Sequence, residues 1–329
     1  MKIAFIVDPL DGLKPAKDSS IAMMREAARR GHKVHALMRD SLCWRDGAVR
    51  ATTARLALTA ISDKIDAPAE HAPWCVAEAY VPQKLTEFDA VLMRQDPPFD
   101  LEYVAATWLL ERAEADGARI FNRPQAIRNH NEKIAITEFP QFAPQTLVAR
   151  AADEINRFID TIWQDGGDVV LKPIDGMGGS SVFRVGRNDP NRNVIVETLT
   201  ALGQRTIMAQ RYLPQIAQGD KRILLIGGEP VPYCLARIPR PGENRGNLAA
   251  GGSGVAQPLS KRDREIATAL GPLLAARGLL LVGLDVIGDY LTEINVTSPT
   301  CFVEITTQTG CDVAALFVDA LEHTVHGAG

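Results

Sequence analysis

The run Val169 to Val185, VVLKPIDGMGGSSVFRV, joins an apolar stretch ending in Lys172 to a glycine-rich turn and a second apolar stretch. The turn holds Gly176, Gly178, Gly179, Ser180 and Ser181. This spacing predicts a strand–turn–strand hairpin with one ammonium at its base. Such a hairpin can lay movable backbone N–H groups over a polyphosphate. A tight hairpin with a solvated lysine has the same pattern, and glycine turns are common. Farther along, Asp285 lies inside the apolar run GLDVI, and Glu293-Ile294-Asn295 follows on the next strand-like run. Period-two alternation puts Glu293 and Asn295 on one face, where Asp285 can meet them across a hairpin. Two carboxylates and an amide oxygen are hard ligands suited to magnesium, with waters and phosphate oxygens completing the octahedron. Polar pairing on an exposed face is the alternative. The strands are rich in Leu, Val and Ile, however, and burying two carboxylates without a counter-charge is costly. A phosphate flap beside a magnesium strand points to ATP chemistry.

Cations recur where such a cleft would lie. Lys133 sits in Asn131-Glu132-Lys133 at a helix start, Arg222 near a strand start, and Arg94 and Arg237 at strand ends, with Arg245 in a glycine-rich loop. Arginine's planar fork suits carboxylate and phosphoryl oxygens; any single arginine is more often a solvated surface residue, and it is their shared position at strand ends and loops that favours the functional reading. The hydroxyl run Asn295-Val296-Thr297-Ser298-Pro299-Thr300 directly after the metal strand can bind a substrate carboxylate, or be a Ser-Pro turn. Other chemistries lack their signatures. There is no G-x-x-x-x-G-K-[ST], and Gly176-Met177-Gly178-Gly179 does not complete G-x-G-x-x-G. The six histidines form no H-E-x-x-H or triad-like pattern, and no G-x-S-x-G elbow exists.

The elements that must hold these residues follow from periodicity. Lys2 to Val7 reads as a first buried strand, Ser19 to Arg30 as a helix stopped by Gly31, and Val34 to Met38 as a second strand. This βαβ opening predicts a parallel sheet covered by helices. Ala90 to Met93, a helix Tyr103 to Ala115 and a strand Arg119 to Phe121 continue it. Residues 1–122 therefore form one expected α/β domain. The stretches Pro124 to Arg128 and Asn131 to Glu138 read as helical, followed by a strand near Thr146 to Val148 and a helix Ala152 to Gln164. Ile207 to Arg211 reads as a strand, and Asp220 to Ile226 with Glu229 to Ala236 as a hairpin turning at Gly227-Gly228. Arg240 to Gly254 has five glycines and few large apolar residues, the mark of a lid. A helix Ser260 to Arg277, strands Leu279 to Ile287 and Leu291 to Val296, and a helix Val313 to His323 complete the expectation. The division is 1–122, 123–206 and 207–329, with a lid at 240–254.

Composition bounds the class. The 329 residues are 46% hydrophobic, which suits a globular chain of two or three domains. A net charge of -4 argues against a nucleic-acid surface. Five scattered cysteines without a C-x-x-C pair fit free thiols in a reducing compartment, so the cytoplasm is expected. No window approaches ~18 uncharged apolar residues, so no membrane span is expected, and the N-terminal apolar run is too short for a signal peptide.

The order of these motifs resembles the ATP-grasp superfamily and, within it, the bacterial glutathione synthetases. The residues carrying the likeness are Asn131-Glu132-Lys133, Leu171 to Gly179, Asp220-Lys221-Arg222, Met93 to Asp100, Val231 to Pro239, Arg245 to Gly252 and Leu291 to Thr300, with Asp8-Pro9 and Lys17 to Ser20 near the start. The resemblance implies an N-terminal α/β domain followed by two α+β subdomains that sandwich ATP. It implies ligation of γ-glutamylcysteine and glycine, driven by ATP through an acyl phosphate. Lys133 and Lys172 would hold phosphates beneath a flap of Gly176, Gly178 and Gly179, with adenine near Gln210, Tyr212 and Leu213. Asp285, Glu293 and Asn295 would hold Mg2+ (two ions, with Mn2+ possible). Arg222 would steady the acyl phosphate, and a lid with Arg245 and Asn247 would exclude water. Asp18, Ser20, Arg94, Arg237, Ser298 and Thr300 would orient the substrates. The resemblance also implies a homotetramer. Another carboxylate–amine ligase of the superfamily would share the metal and phosphate residues. A silent nucleotide-binding module would lack a metal ligand or the lid arginine.

Overall fold

The computed structural model describes residues 1–59, 74–243, 245, 246, 248 and 251–327. Asn247 of the expected lid lies outside the described residues.

The chain opens as its periodicity requires. Strand β1 (Lys2–Ile6), helix α1 (Ser19–Arg29) and strand β2 (Lys33–Leu37) form a parallel βαβ unit. Asp18 caps α1 by accepting the Ile21 amide at 2.9 Å. Strands β3 (Cys43–Arg45), β4 (Ala48–Leu58), β5 (Cys75–Ala77) and β6 (Val81–Lys84) then add antiparallel pairings built around β4. The expected parallel sheet is present, and antiparallel strands extend it at one side. Parallel pairing is confined to β2, β1, β7 (Ala90–Met93) and β8 (Ile120–Phe121). Among the described residues, 43–59 and 74–84 hold no helical crossover of the kind parallel neighbours need, and β3, β5 and β6 pair antiparallel with β4 instead. Helix α2 (Leu101–Ala115), capped by Asp100, covers this sheet with Tyr103, Leu110 and Ala113 fully buried.

Helix α3 (Pro124–Asn129) starts with proline in its first turn. The expected helix over Asn131 to Glu138 is shorter and tighter, a 3-10 turn over Ile134–Glu138. Its first residues are committed elsewhere: the Asn131 side chain accepts from the amides of Lys133 and Ile134, and the Glu132 carbonyl accepts from Ile294. Strands β9 (Thr146–Ala149), β10 (Val169–Pro173), β11 (Phe183–Val185) and β12 (Ile207–Arg211) form an antiparallel sheet ordered β11-β10-β12-β9. Helices α4 (Ala152–Gln164) and α5 (Arg192–Thr200) cover one face, packing Ile155, Ile159 and Val196 on Val169, Leu171, Ile207 and Ala209. The alternate residues Val170, Lys172, Met208 and Gln210 necessarily face the other way.

The third sheet is ordered β15-β14-β13-β16-β17, from β13 (Asp220–Ile226), β14 (Glu229–Ile238), β15 (Ser253–Pro258), β16 (Leu281–Ile287) and β17 (Tyr290–Asn295). Strand β15 takes Ser253 and Gly254 from the expected lid, so the loop ends two residues earlier than its composition suggests. Helix α6 (Lys261–Ala276) begins with a Ser260/Asp263 capping box and packs on Ile223, Leu225, Leu284 and Val286. Helices α7 (Phe302–Thr309) and α8 (Val313–His326) return to the N-terminal sheet, where Phe302, Phe317 and Leu321 share a core with Phe5, Met24 and Leu92. Asn122 ties first sheet to third: its amide bonds the Leu281 and Val296 carbonyls and accepts from the Leu281 amide, all within 2.9 Å. Among the described residues no helix is long and apolar enough to cross a membrane.

Candidate active site

Between the inner faces of the second and third sheets lies an open cleft with a cavity volume of about 130 Å³. The second sheet contributes the hairpin of β10 and β11, which pairs antiparallel with Val169 opposite Val185. Its turn brings Gly176, Gly178, Gly179 and Ser180 to the rim. Gly178 and Gly179 have φ of 64° and 78°, a conformation that side chains rarely adopt, so the flap depends on glycine at both. Lys172 at the base and Lys133 from the preceding segment converge on one carboxylate. Each Nζ lies 3.6 Å from Glu293 Oε1. Lys133 Nζ also donates to the Gly176 carbonyl at 2.6 Å, which anchors the flap. Burial pulls the Lys172 ammonium below its ordinary value, and Glu293 opposes that pull. Burial would likewise raise Glu293, but the two lysines hold its carboxyl below the usual range.

The third sheet lines up charges by register. Asp220 is opposite Arg237 on β14, Arg222 is opposite Asp285 on β16, and Asp285 is opposite Glu293 on β17. Arg222 donates from Nε and Nη2 to the two Asp285 oxygens at 2.6 and 3.1 Å. Arg237 bridges Asp220 at 2.6 Å and Asp285 at 2.8 Å. Burial would raise Asp285, yet these guanidiniums keep its carboxyl below the ordinary range. Asp220 goes the other way. Burial pushes it up to about 7, and its buried Oδ1 finds no hydrogen-bond donor among the described residues. Gly283 lies beneath this row, where a methyl would fall 2.8 Å from Arg222 Cδ and 2.9 Å from Pro299 Cβ. Only glycine lets the arginine lie flat there. A register shift after Asp285 marks a bulge at the site, a common way of re-aiming a side chain.

The donor chemistry fits a divalent cation. Asn295 gives its Nδ2 to the Gly283 carbonyl at 3.2 Å, which leaves its Oδ1 as the outward atom. With Glu293 on the same strand face and Asp285 opposite, the donors are all oxygens. Among the described residues no three His, Cys, Asp or Glu side chains form a metal-ligand group, so the set depends on that amide.

Of the expected nucleotide residues, Lys133, Lys172, Gly176, Gly178, Gly179, Gln210, Tyr212 and Leu213 line the cleft, together with Arg245, Asp285 and Glu293. Arg245 is held by Glu243 at 2.9 Å on the exposed loop. The expected substrate residues gather where the first and third sheets meet. Arg94 is buried, with Nε on Ser20 Oγ at 3.1 Å and Nη2 on the Pro299 carbonyl at 2.9 Å, and Ser298 donates to the Arg94 carbonyl. Its Nη1 has no partner among the described residues. Asp18 and Asp96 oppose the lowering of Arg94 by burial. Thr300 lies beyond Pro299 at the exposed end of the same loop. Three residues escaped the sequence reading. Asp220 sits two before Arg222 on the same strand face, a period-two signal that was available. Arg184 stacks 4.0 Å over the Tyr212 ring and pairs with Asp168. Glu132 grips the loop after β17, its Oε1 accepting from the amides of Val296 and Thr297 and the Thr297 hydroxyl within 3.1 Å. No local pattern announces those last two.

Two facing antiparallel sheets, a glycine flap with paired lysines, and an acidic strand bearing an outward amide oxygen define an ATP-grasp enzyme. Solved structures agree on the fold. The D-cycloserine synthetase DcsG aligns with TM-score 0.67 at 16% identity, covering 98% of this chain and 99% of that one. The RimK domain ATP-grasp protein of Sphaerobacter thermophilus aligns with TM-score 0.61 at 18% identity, covering 97% and 99%. Family models of the prokaryotic glutathione synthetase match here, the N-terminal domain at residues 1–128 and the ATP-grasp domain at 132–310. Glutathione synthetases of Nitrosomonas europaea and Vibrio parahaemolyticus are 57% and 49% identical to it, the first over 99% of this chain and 98% of its own length, the second over 99% of both. The chain belongs to the prokaryotic glutathione synthetase family, and it is an ATP-dependent ligase.

Proposed function

We propose that this cleft activates the cysteinyl carboxylate of γ-glutamylcysteine with ATP and joins it to glycine, releasing glutathione, ADP and phosphate. The observation that carries the residue assignment is the convergence of Lys133, Lys172 and Glu293 between the two sheets, with the Arg222–Asp285–Arg237 row beside them.

In this reading the two lysines exchange Glu293 for nucleotide phosphates under the flap, and Gln210, Tyr212 and Leu213 receive the adenine. A divalent cation, two Mg2+ ions with Mn2+ as the substitute, would be held by Asp285, Glu293 and Asn295 and would neutralise charge on the phosphoryl oxygens. Phosphoryl transfer needs positioning and charge neutralisation rather than a protein nucleophile. The substrate carboxylate attacks the γ-phosphate, and ADP leaves. The glycine amine then attacks the acyl carbon, and phosphate leaves. Arg222 and Arg237, fixed by carboxylates, present their remaining N–H groups to the acyl phosphate and substrate carboxylate. Arg94 with its unpartnered Nη1, together with Asp18, Ser20, Ser298 and Thr300, is placed to orient the peptide. The lid, with Arg245 and Asn247, closes over the acyl phosphate and keeps water from it. The domain division at 122/123 and 206/207 belongs to the same proposal; the first sheet ends at Phe121, before the first boundary, whereas β12 (Ile207–Arg211) belongs to the second sheet, so the second boundary is better drawn after Arg211. A homotetrameric assembly and a cytoplasmic setting belong to the proposal as well, the latter in keeping with five unpaired cysteines.

The test is phosphate release from ATP with γ-glutamylcysteine, with and without glycine. Release that requires both substrates is expected. Release indifferent to either one rejects the assignment.

A further inference from the structure

We infer that Thr146 decides which purine the cleft accepts, by locking the side-chain amide of Gln210 in one orientation. The inference rests on the nucleotide reading of the cleft. Thr146 opens β9 directly opposite Gln210 on β12, and Gln210 is opposite Val170 on β10. Directly opposed residues of neighbouring strands point to the same face, so this row rises from the cleft side. Gln210 is only 4% exposed, and both it and Val170 line the cleft beside Tyr212 and Leu213.

The hydrogen bonds run in one direction. The Thr146 hydroxyl donates to the Pro144 carbonyl at 2.8 Å. A hydroxyl has a single proton to give. Once it is on Pro144, Thr146 Oγ1 offers Gln210 lone pairs alone. The Gln210 group facing it must therefore be the NH2, and Nε2 donates to Oγ1 at 3.0 Å. Reversing the amide would set its carbonyl against those lone pairs and leave a nearly buried NH2 without that acceptor, a costly exchange in low dielectric. Gln210 Oε1 is consequently a fixed acceptor on the opposite side of the amide.

A fixed acceptor at the edge of the base matches the 6-amino group of adenine and repels the 6-oxo group of guanine. An unrestrained glutamine could not discriminate, because rotating its amide by half a turn would present a donor to guanine. The Pro144–Thr146–Gln210 relay removes that freedom. Thr146 touches no base in this arrangement. It is a positioning residue acting through Gln210.

The experiment measures ADP and GDP binding by calorimetry on the full chain, with kcat/KM for ATP and GTP alongside. The variants are Thr146→Val, which keeps the shape and loses the hydroxyl, Thr146→Ala as a second test should valine disturb the strand, and Thr146→Ser. The wild type should prefer the adenine nucleotide. Valine and alanine should reduce the ADP-to-GDP preference at least tenfold, with GDP binding gaining, and serine should restore the preference. An unchanged ratio in a folded valine or alanine variant, even with both affinities lowered together, would overturn the relay. A wild type that binds neither nucleotide would instead reject the nucleotide reading of the cleft, and this inference with it.

Discussion

Replacing Glu293 by Gln tests whether this carboxylate is the resident counter-ion of the two lysines. Glu293 Oε1 lies 3.6 Å from both Lys133 Nζ and Lys172 Nζ. At that separation a unit charge pair is worth about 4–5 kcal/mol at an effective dielectric near 20. The gross attraction from two pairs is reduced by lysine–lysine repulsion and by water reaching a carboxylate whose side chain is 24% exposed. The net loss on deleting the charge should approach that of breaking a buried pair, about 3 kcal/mol. In a chain of 329 residues unfolding as one unit that lowers Tm by roughly 4 °C. Nucleotide changes the balance. With no carboxylate competing for the lysines, metal-free ATP should bind Glu293→Gln at least as well as it binds the wild type. The improvement that Mg2+ gives wild-type binding should largely vanish, and turnover should fall by about two to three orders of magnitude, the scale of losing one electrostatic stabiliser. Scanning calorimetry without nucleotide, then titration of ATP with and without Mg2+, reads both effects. A variant with wild-type Tm and an intact Mg2+ dependence would refute the counter-ion argument and the metal assignment together.

Two further outcomes follow from the same geometry. Burial holds the Glu132 carboxyl above its ordinary range, against the hydrogen bonds it accepts from Thr297 and Val296. A raised acid favours the folded state while protonated, so its contribution is full below the unfolded value near ~4.3 and is lost as pH rises through the folded value. Glu132→Gln keeps the acceptor and removes the charge. Urea unfolding should therefore show it more stable than wild type at pH 8 and equal to it below about pH 4, whereas a gap independent of pH would contradict this. Gly283→Ala puts a methyl 2.8 Å from Arg222 Cδ and 2.9 Å from Pro299 Cβ. It should cost about 1–3 kcal/mol as overpacking and lower kcat at least tenfold through Arg222 with little change in KM for ATP. Unaltered kcat in a folded variant would mean that the lie of Arg222 on Asp285 does not matter to turnover.

The cleft was legible in the sequence where its logic is local. A hairpin carries its own turn chemistry, so the flap and Lys172 could be read from one stretch. Glu293 and Asn295 are two residues apart, and strand periodicity alone puts them on one face. The partners of Asp285 were not legible, because they depend on the registers of β13 with β14 and of β13 with β16, which bring together residues 63 and 17 apart in sequence. Arg222 could therefore be read as a cleft cation, but not as one bound on two nitrogens to Asp285. Residues 43–84 were obscure for a related reason. The strands β3, β5 and β6 are only three or four residues long and have exposed outer faces, as at Trp44 and Val76, so no apolar period stands out in them. The grip of Glu132 and Asn122 on the third sheet joins positions over 150 apart, and nothing near either residue in the chain forecasts it.

The charges of the cleft explain how so polar a site stays folded before substrates arrive. Lys133, Lys172, Arg222 and Arg237 face Asp220, Asp285 and Glu293, and each cation lies within 3.6 Å of a carboxylate. Four cations against three acids leave a positive excess, and Asp220, pushed up to about 7, adds to it whenever it holds a proton. A polyphosphate entering with its cations brings opposite charges in comparable number, so it can replace these internal pairs without leaving the buried groups uncompensated. That substitution needs each protein charge to have a second partner available. Lys133 shows how the exchange reaches the flap. Its Nζ is bound to the Gly176 carbonyl as well as paired with Glu293. On the proposed reading, a phosphate that drew Lys133 away from either partner would change what holds the flap, so nucleotide entry and flap position would be coupled through one ammonium.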